Sequence, residues 1–164
     1  MPDVETPAAE PEAVPAPASG ADEPRLLAYL CNWCSYAGAN LAGGSRLKYP
    51  ATLRVIRVPC SGRVDPLMVF KAFERGLDGL LLGGCHLGDC HYNRGNYAAK
   101  GRMGLVSELL RLMGVEPQRF RLEWISASEG SRFRDVVTEM TADLEELGPL
   151  CLATGPLTVE TPKD

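Results

Sequence analysis

The placement of its cysteines restricts this chain more than any other feature. Five of the six follow three short apolar runs with strand character. Cys31 and Cys34 come after Leu26-Leu27-Ala28-Tyr29-Leu30. Cys60 comes after Val55-Ile56-Arg57-Val58-Pro59, and Cys85 and Cys90 after Leu80-Leu81-Leu82-Gly83-Gly84. In an open parallel sheet the carboxyl ends of neighbouring strands lie together, and ligands bind in the crevice there. A fold that pairs these runs therefore gathers five thiols into one small volume, where they either hold a metal or do redox chemistry.

Such a fold is what the rest of the chain spells. The 164 residues suffice for one domain with a core. Strand-like runs at about 26–30, 52–58, 78–84 and 119–126 alternate with helical patterns. The first helix, about 35–45, is rich in Gly and Ala (Ala37, Gly38, Ala39, Ala42, Gly43) and can lie close to the sheet. The second opens at Asp65-Pro66, an N-cap followed by proline at the first helical position, buries Leu67, Val69, Phe70 and Phe73, and stops at Gly76. The third, about 96–113, puts Met103, Val106, Leu109, Leu110 and Met113 on one face and stops at Gly114. Ser126 and Glu129 have capping-box spacing for the last helix, with Phe133, Val136, Val137, Met140, Leu144 and Leu147 at helical intervals.

Strands alternating with helices predict an α/β single domain: a four-stranded, mostly parallel sheet of flavodoxin/Rossmann-like βα repeats. The expected strand order is 2-1-3-4. Its switch point, between strands one and three, is where the cysteine loops meet. Trp124 is expected in the core.

The two ends read differently. Residues 1–24 hold six Pro, six Ala and six acids with no Lys or Arg. Such a stretch buries too little apolar surface to offset its ordering entropy and reads as a disordered tail. Residues 150–164 read as a loose C-terminal tail, leaving 25–149 as the folded domain.

Charge and hydropathy exclude several classes. The net charge is −4, concentrated in the first 24 residues. No basic block suggests a nucleic-acid partner. The strongly apolar runs are about six residues long, against the ~20 that span a bilayer. No basic segment leads into an apolar signal-peptide core. A cytoplasmic location is expected, and clustered cysteines in a reducing compartment bind metal or act catalytically more often than they form structural disulfides. Neither a GxGxxG fingerprint nor a phosphate-binding GxxxxGK[ST] loop is present.

Individually the thiol motifs are modest. Cys31-Asn32-Trp33-Cys34 suits one metal or a redox dithiol. Cys85-His86-Leu87-Gly88-Asp89-Cys90 has a longer spacer with a Gly for the turn. With Cys60 they give the four thiolates that a 2Fe-2S cluster or a zinc ion takes, with one to spare. The candidate ligands are four of Cys31, Cys34, Cys60, Cys85 and Cys90; spacing does not select among them. Cys151, beyond the last helix, reads as a bystander. His86 and His91 invite comparison with a Rieske centre, but both share one loop, so they read as outer donors or surface residues. Arg63 and Asp89 adjoin candidate ligands. Trp33 either shields the site or packs ordinarily. Arg94, Lys100 and Arg102 form either a docking surface or a solvated face.

At these motifs the chain resembles the methyl-viologen-reducing hydrogenase delta subunit family. The resemblance rests on Cys31-Asn32-Trp33-Cys34-Ser35-Tyr36-Ala37-Gly38-Ala39, Arg57-Val58-Pro59-Cys60-Ser61-Gly62-Arg63-Val64-Asp65-Pro66, Gly84-Cys85-His86-Leu87-Gly88-Asp89-Cys90-His91-Tyr92 and Arg121-Leu122-Glu123-Trp124-Ile125-Ser126-Ala127-Ser128-Glu129. It covers roughly residues 26–148. It implies a 2Fe-2S cluster on this cysteine set and an electron relay. Electrons would pass from a hydrogenase or formate dehydrogenase to the flavin-containing A subunit of heterodisulfide reductase. The family also occurs fused to its partner, and this chain reads as a stand-alone version. Two other readings stay open: a zinc-binding interaction module, and a thiol-disulfide oxidoreductase using Cys31 and Cys34.

Overall fold

The structure, a computed structural model, describes residues 23–152. The elements run β1 (Leu26–Cys31), α1 (Ser35–Gly44), β2 (Leu53–Val58), α2 (Pro66–Glu74), β3 (Gly79–Gly84), α3 (Gly95–Leu112), β4 (Phe120–Trp124) and α4 (Gly130–Leu147), with single 3-10 turns at Ser61–Arg63 and Pro117–Arg119. The strand order is β2-β1-β3-β4, every pair parallel, as the sequence predicts.

Handedness and alternation build two cores. The first crossover leaves β1 in one direction and the later ones run the other way, so right-handed connections put helices on opposite faces. Tyr29, Leu80 and Leu82 face Val69 and Phe73 of α2 and Met103, Val106 and Leu110 of α3. The intervening strand residues Leu26, Ala28, Leu30 and Leu81 face Ala42 of α1 and Phe133, Val137, Met140 and Leu144 of α4. This is the period of two that a strand imposes on a sheet covered on both sides. The small residues of α1 allow close contact: a side chain on Gly38 would come within 2.8 Å of the Ser126 carbonyl.

Several expectations need correction. Leu109 and Met113 are exposed. The buried stripe of α3 is narrow, running Asn96, Ala99, Met103, Val106, Leu110; Leu109 precedes Leu110 by 100° of helical turn and falls off it, and Met113 follows the last turn. Leu67 sits in the first turn of α2 and is exposed. Trp124 is half-buried rather than core, because β4 is an edge strand. The capping box is half-formed. Glu129 Oε2 accepts the Ser126 N–H at 2.7 Å, but the Ser126 hydroxyl turns to Ser128, and α4 starts only at Gly130.

One carboxylate ties the two ends of the domain. Asp78 accepts the Arg25 N–H at 2.8 Å and the Leu150 N–H at 2.9 Å. Leu150 and Leu152 pack on the α2/α3 core, so part of the segment expected to be loose is held. Residues 1–22 and 153–164, the bulk of both expected tails, lie outside the described residues. No helix among the described residues is long and apolar enough to cross a membrane. A groove of about 750 Å³ runs between β1, β2 and α2 and is lined by Arg25, Leu27 and Leu77 at the amino ends of β1 and β3, the end away from the thiols.

Candidate metal centre

The carboxyl ends of β1, β2 and β3 deliver the five thiols as the topology requires. Cys31 is the last residue of β1, and Cys34 closes the turn into α1. Cys60 precedes the 3-10 turn that leads to α2. Cys85 directly follows β3, and Cys90 sits in the loop before α3. All five are buried, none more than 7% exposed, and all are unpaired thiols. Cys151 is exposed and stands apart.

The sulfurs fall into two groups. Those of Cys31, Cys34 and Cys85 lie within 4.8 Å of one another, with Cys31 and Cys85 3.8 Å apart. Cys60 and Cys90 form a second pair, 4.0 Å apart. The histidines are elsewhere. His86 Nε2 is 2.6 Å from Glu129 Oε2, and the His91 ring stacks on Trp33 at 3.7 Å and 12°.

Burial and hydrogen bonds among the thiols move their pKa values in opposite directions. The Cys31 thiol is lowered to about 5. The Cys34 thiol beside it has the largest effect, burial opposes it, and the Trp33 N–H, the Cys85 thiol and the Ser61 N–H lower it further. Cys34 is raised, because Cys31 takes the hydrogen bond and burial penalises a second charge. Burial raises Cys85 and Cys60. It pushes Cys90 up too, but the N–H groups of Tyr92, Asn96 and Gly95 outweigh it, so Cys90 is lowered. Burial thus favours the neutral thiol at Cys34, Cys60 and Cys85, and hydrogen bonds favour the thiolate at Cys31 and Cys90; metal binding releases whatever protons remain.

Side chains that the motifs did not single out hold this arrangement. Ser35 Oγ accepts the Cys31 N–H at 2.9 Å. The buried Asn96 amide donates to the carbonyls of Cys85 (3.2 Å) and His86 (2.6 Å), tying that loop to the start of α3. Arg102 donates to the carbonyls of Gly62 (3.1 Å) and Val64 (3.0 Å), so it clamps the Cys60 loop rather than joining a solvated face. Arg94, Lys100, Arg63 and Asp89 are exposed. Glu129, held by the Ser126 N–H and His86, is lowered to about 2. Asn96 and Arg102 act on loops distant from them in sequence, so no local spacing marks them. Glu129 carried a local signal, but for a different role.

Backbone proximity matters as much. A side chain on Gly95 would strike the Cys60 sulfur and come within 3.2 Å of that of Cys90. On Gly62 it would approach the Gly95 carbonyl to 2.5 Å. Next to Cys34 and Cys90 in the chain, three rings meet. Trp33, 46% exposed, stacks on His91 and donates from Nε1 to the Tyr92 hydroxyl at 3.3 Å.

Comparison with known proteins agrees with this geometry. The model of the family described as "Methyl-viologen-reducing hydrogenase, delta subunit" matches residues 26–148. The iron-sulfur D subunit of the F420-non-reducing hydrogenase of Archaeoglobus profundus is 53% identical over 127 residues, 77% of this chain and 93% of that protein. The vhc iron-sulfur D subunit of the F420-non-reducing hydrogenase of Methanococcus voltae is 45% identical over 130 residues, 79% of this chain and 90% of that protein. The A subunit of the ferredoxin:CoB-CoM heterodisulfide reductase of Methanosarcina mazei is 49% identical over 127 residues, but these are 77% of this chain and only 16% of that much longer protein.

Proposed function

The chain belongs to the methyl-viologen-reducing hydrogenase delta subunit family, and from that premise we propose that it is an electron-transfer subunit carrying a 2Fe-2S cluster on four of Cys31, Cys34, Cys60, Cys85 and Cys90. The observation that carries the reading is the convergence of five buried thiols from three strand ends in two groups. Two irons take four thiolates. A tetrahedral zinc needs its four sulfurs all about 3.8 Å apart, from a Zn–S distance of about 2.3 Å, whereas among the described residues the group within 4.8 Å of one another holds three thiols.

The surroundings fit such a group. Gly95 leaves room for the Cys60 and Cys90 sulfurs, which a Cβ would strike, and a buried hydroxyl, Ser61 Oγ, lacks a partner. A bound cluster supplies one-electron acceptance and donation. The chain supplies the rest: Asn96, Ser35 and Arg102 fix the three loops, burial excludes water, and backbone N–H groups face the thiols. The dithiol alternative draws support from the lowered Cys31, but a reactive cysteine must be reachable, and Cys31 is buried.

The names of the relatives suggest a hydrogenase and a heterodisulfide reductase A subunit as partners, and the family resemblance adds formate dehydrogenase and the flavin. Electrons arrive from a hydrogenase or formate dehydrogenase and leave for a flavin-containing protein like the heterodisulfide reductase A subunit. Homology to a stretch of the Methanosarcina protein supports the second contact. The test is stopped-flow mixing of the reduced chain with such an oxidised flavoprotein. The proposal requires flavin bleaching with wild type and none with an iron-free Cys31→Ser/Cys85→Ser variant. Equal bleaching by both contradicts it.

A further inference from the structure

Two buried side-chain oxygens among the described residues lack a hydrogen-bond partner, and one of them, Ser61 Oγ, lies at the thiol site. Ser61 is 1% exposed. A buried hydroxyl without a partner is destabilising and needs a reason.

Its position supplies one. Ser61 follows Cys60 directly and opens the 3-10 turn. Its Oγ and the edge of the Trp124 ring share the space above Gly84, where a Cβ would come within 2.8 Å of the Oγ and 2.7 Å of the ring. In the β1/β3 register Leu30 pairs with Gly83, so Cys31 stands beside Gly84. By strand alternation the Cys31 side chain and the space above Gly84 share one sheet face, the one opposite Leu30. Cys85 follows Gly84. The hydroxyl thus lies beside the strand ends that carry Cys31 and Cys85, one residue from Cys60, and has no protein partner. Ser35 Oγ, the other buried serine hydroxyl nearby, has a partner, since it accepts the Cys31 N–H.

We propose that the Ser61 hydroxyl donates its hydrogen to a sulfur of the iron–sulfur cluster and so raises the cluster's reduction potential, an inference that rests on the function proposed above. Reduction adds one electron and moves no proton; the serine keeps its hydrogen. The added negative charge strengthens a hydrogen bond to sulfur, so the donor favours the reduced form. An effect of about tenfold on the reduced-to-oxidised equilibrium corresponds to about 59 mV for a one-electron couple.

The test is Ser61→Ala in the full chain, with iron content, potential and stability as readouts. The variant should bind as much iron as wild type. Its midpoint potential, from a titration followed by electron paramagnetic resonance, should be more negative by about 59 mV, the tenfold effect converted for one electron. Without metal its thermal midpoint should equal or exceed that of wild type, because no protein hydrogen bond is lost. Electron–nuclear double resonance of the reduced wild type in H2O and D2O should show an exchangeable hydrogen that the variant lacks. Equal potentials at equal iron content, or loss of iron in the variant, overturn the proposal. A lower metal-free midpoint also overturns it, by giving the hydroxyl a structural role. Wild type without iron and sulfide overturns the proposed function itself, and that is read from the metal analysis alone.

Discussion

A methyl group on Gly95 would land on the Cys60 sulfur, and a residue that small decides whether the thiols can converge. Gly95→Ala is expected to cut iron content to less than half of wild type. Gly104→Ala, on the same helix with nothing within 4 Å, should keep the iron and stabilise the fold by up to about 1 kcal/mol through helix propensity. Metal analysis and urea unfolding of the pair check this; full iron in Gly95→Ala contradicts it. The five cysteines were legible in the sequence because a soft donor at a strand end is a local pattern. The role of Gly95 was not, since the sulfur it makes room for lies 35 residues earlier in the chain.

Elements carry the thiols into register, and their ends are fixed by polar contacts between loops. The β4–α4 loop is joined to the Cys85 loop by Glu129, which takes the Ser126 N–H and His86. Because folding lowers the Glu129 carboxyl from 4.5 to about 2, its contribution is fully present above pH 4.5. It is lost as pH falls through about 2, where the folded state protonates as well. Metal-free wild type should therefore exceed Glu129→Gln in stability at pH 7, and the gap should narrow as pH falls below 4.5. Unfolding curves across that window measure it, and a gap that stays constant or widens contradicts the assignment. The helices were readable from apolar periodicity, yet Leu109 and Met113 fell outside the buried stripe. Periodicity gives a face, but the width of that face is set by how α3 crosses the sheet. Glu129 was read as half of a capping box, because sequence spacing shows the near partner, Ser126, and hides the distant one, His86.

For the molecule as a whole, the topology was the most legible level. Four βα units with right-handed crossovers leave few arrangements, and the order 2-1-3-4 brings the thiol-bearing ends together. What ties that topology off was hidden. Arg119, 1% exposed, donates to the carbonyls of Asp78 (3.2 Å), Leu147 (3.5 Å) and Gly148 (2.9 Å) and pairs with Glu116 at 2.6 Å. An arginine before a strand reads as a surface residue; here it joins the start of β3 to the end of α4, where a cation also suits the helix dipole. Arg119→Ala strands three carbonyls and should cost about 3 kcal/mol in urea unfolding; a loss under about 1 kcal/mol contradicts this role. The central claim, that this α/β frame exists to present a 2Fe-2S cluster, is tested most directly by iron and sulfide analysis of anaerobically purified protein, with electron paramagnetic resonance after dithionite reduction. The account predicts about two irons and two acid-labile sulfides per chain and a spin-half signal. One zinc, or no metal and no signal after anaerobic reconstitution, contradicts it.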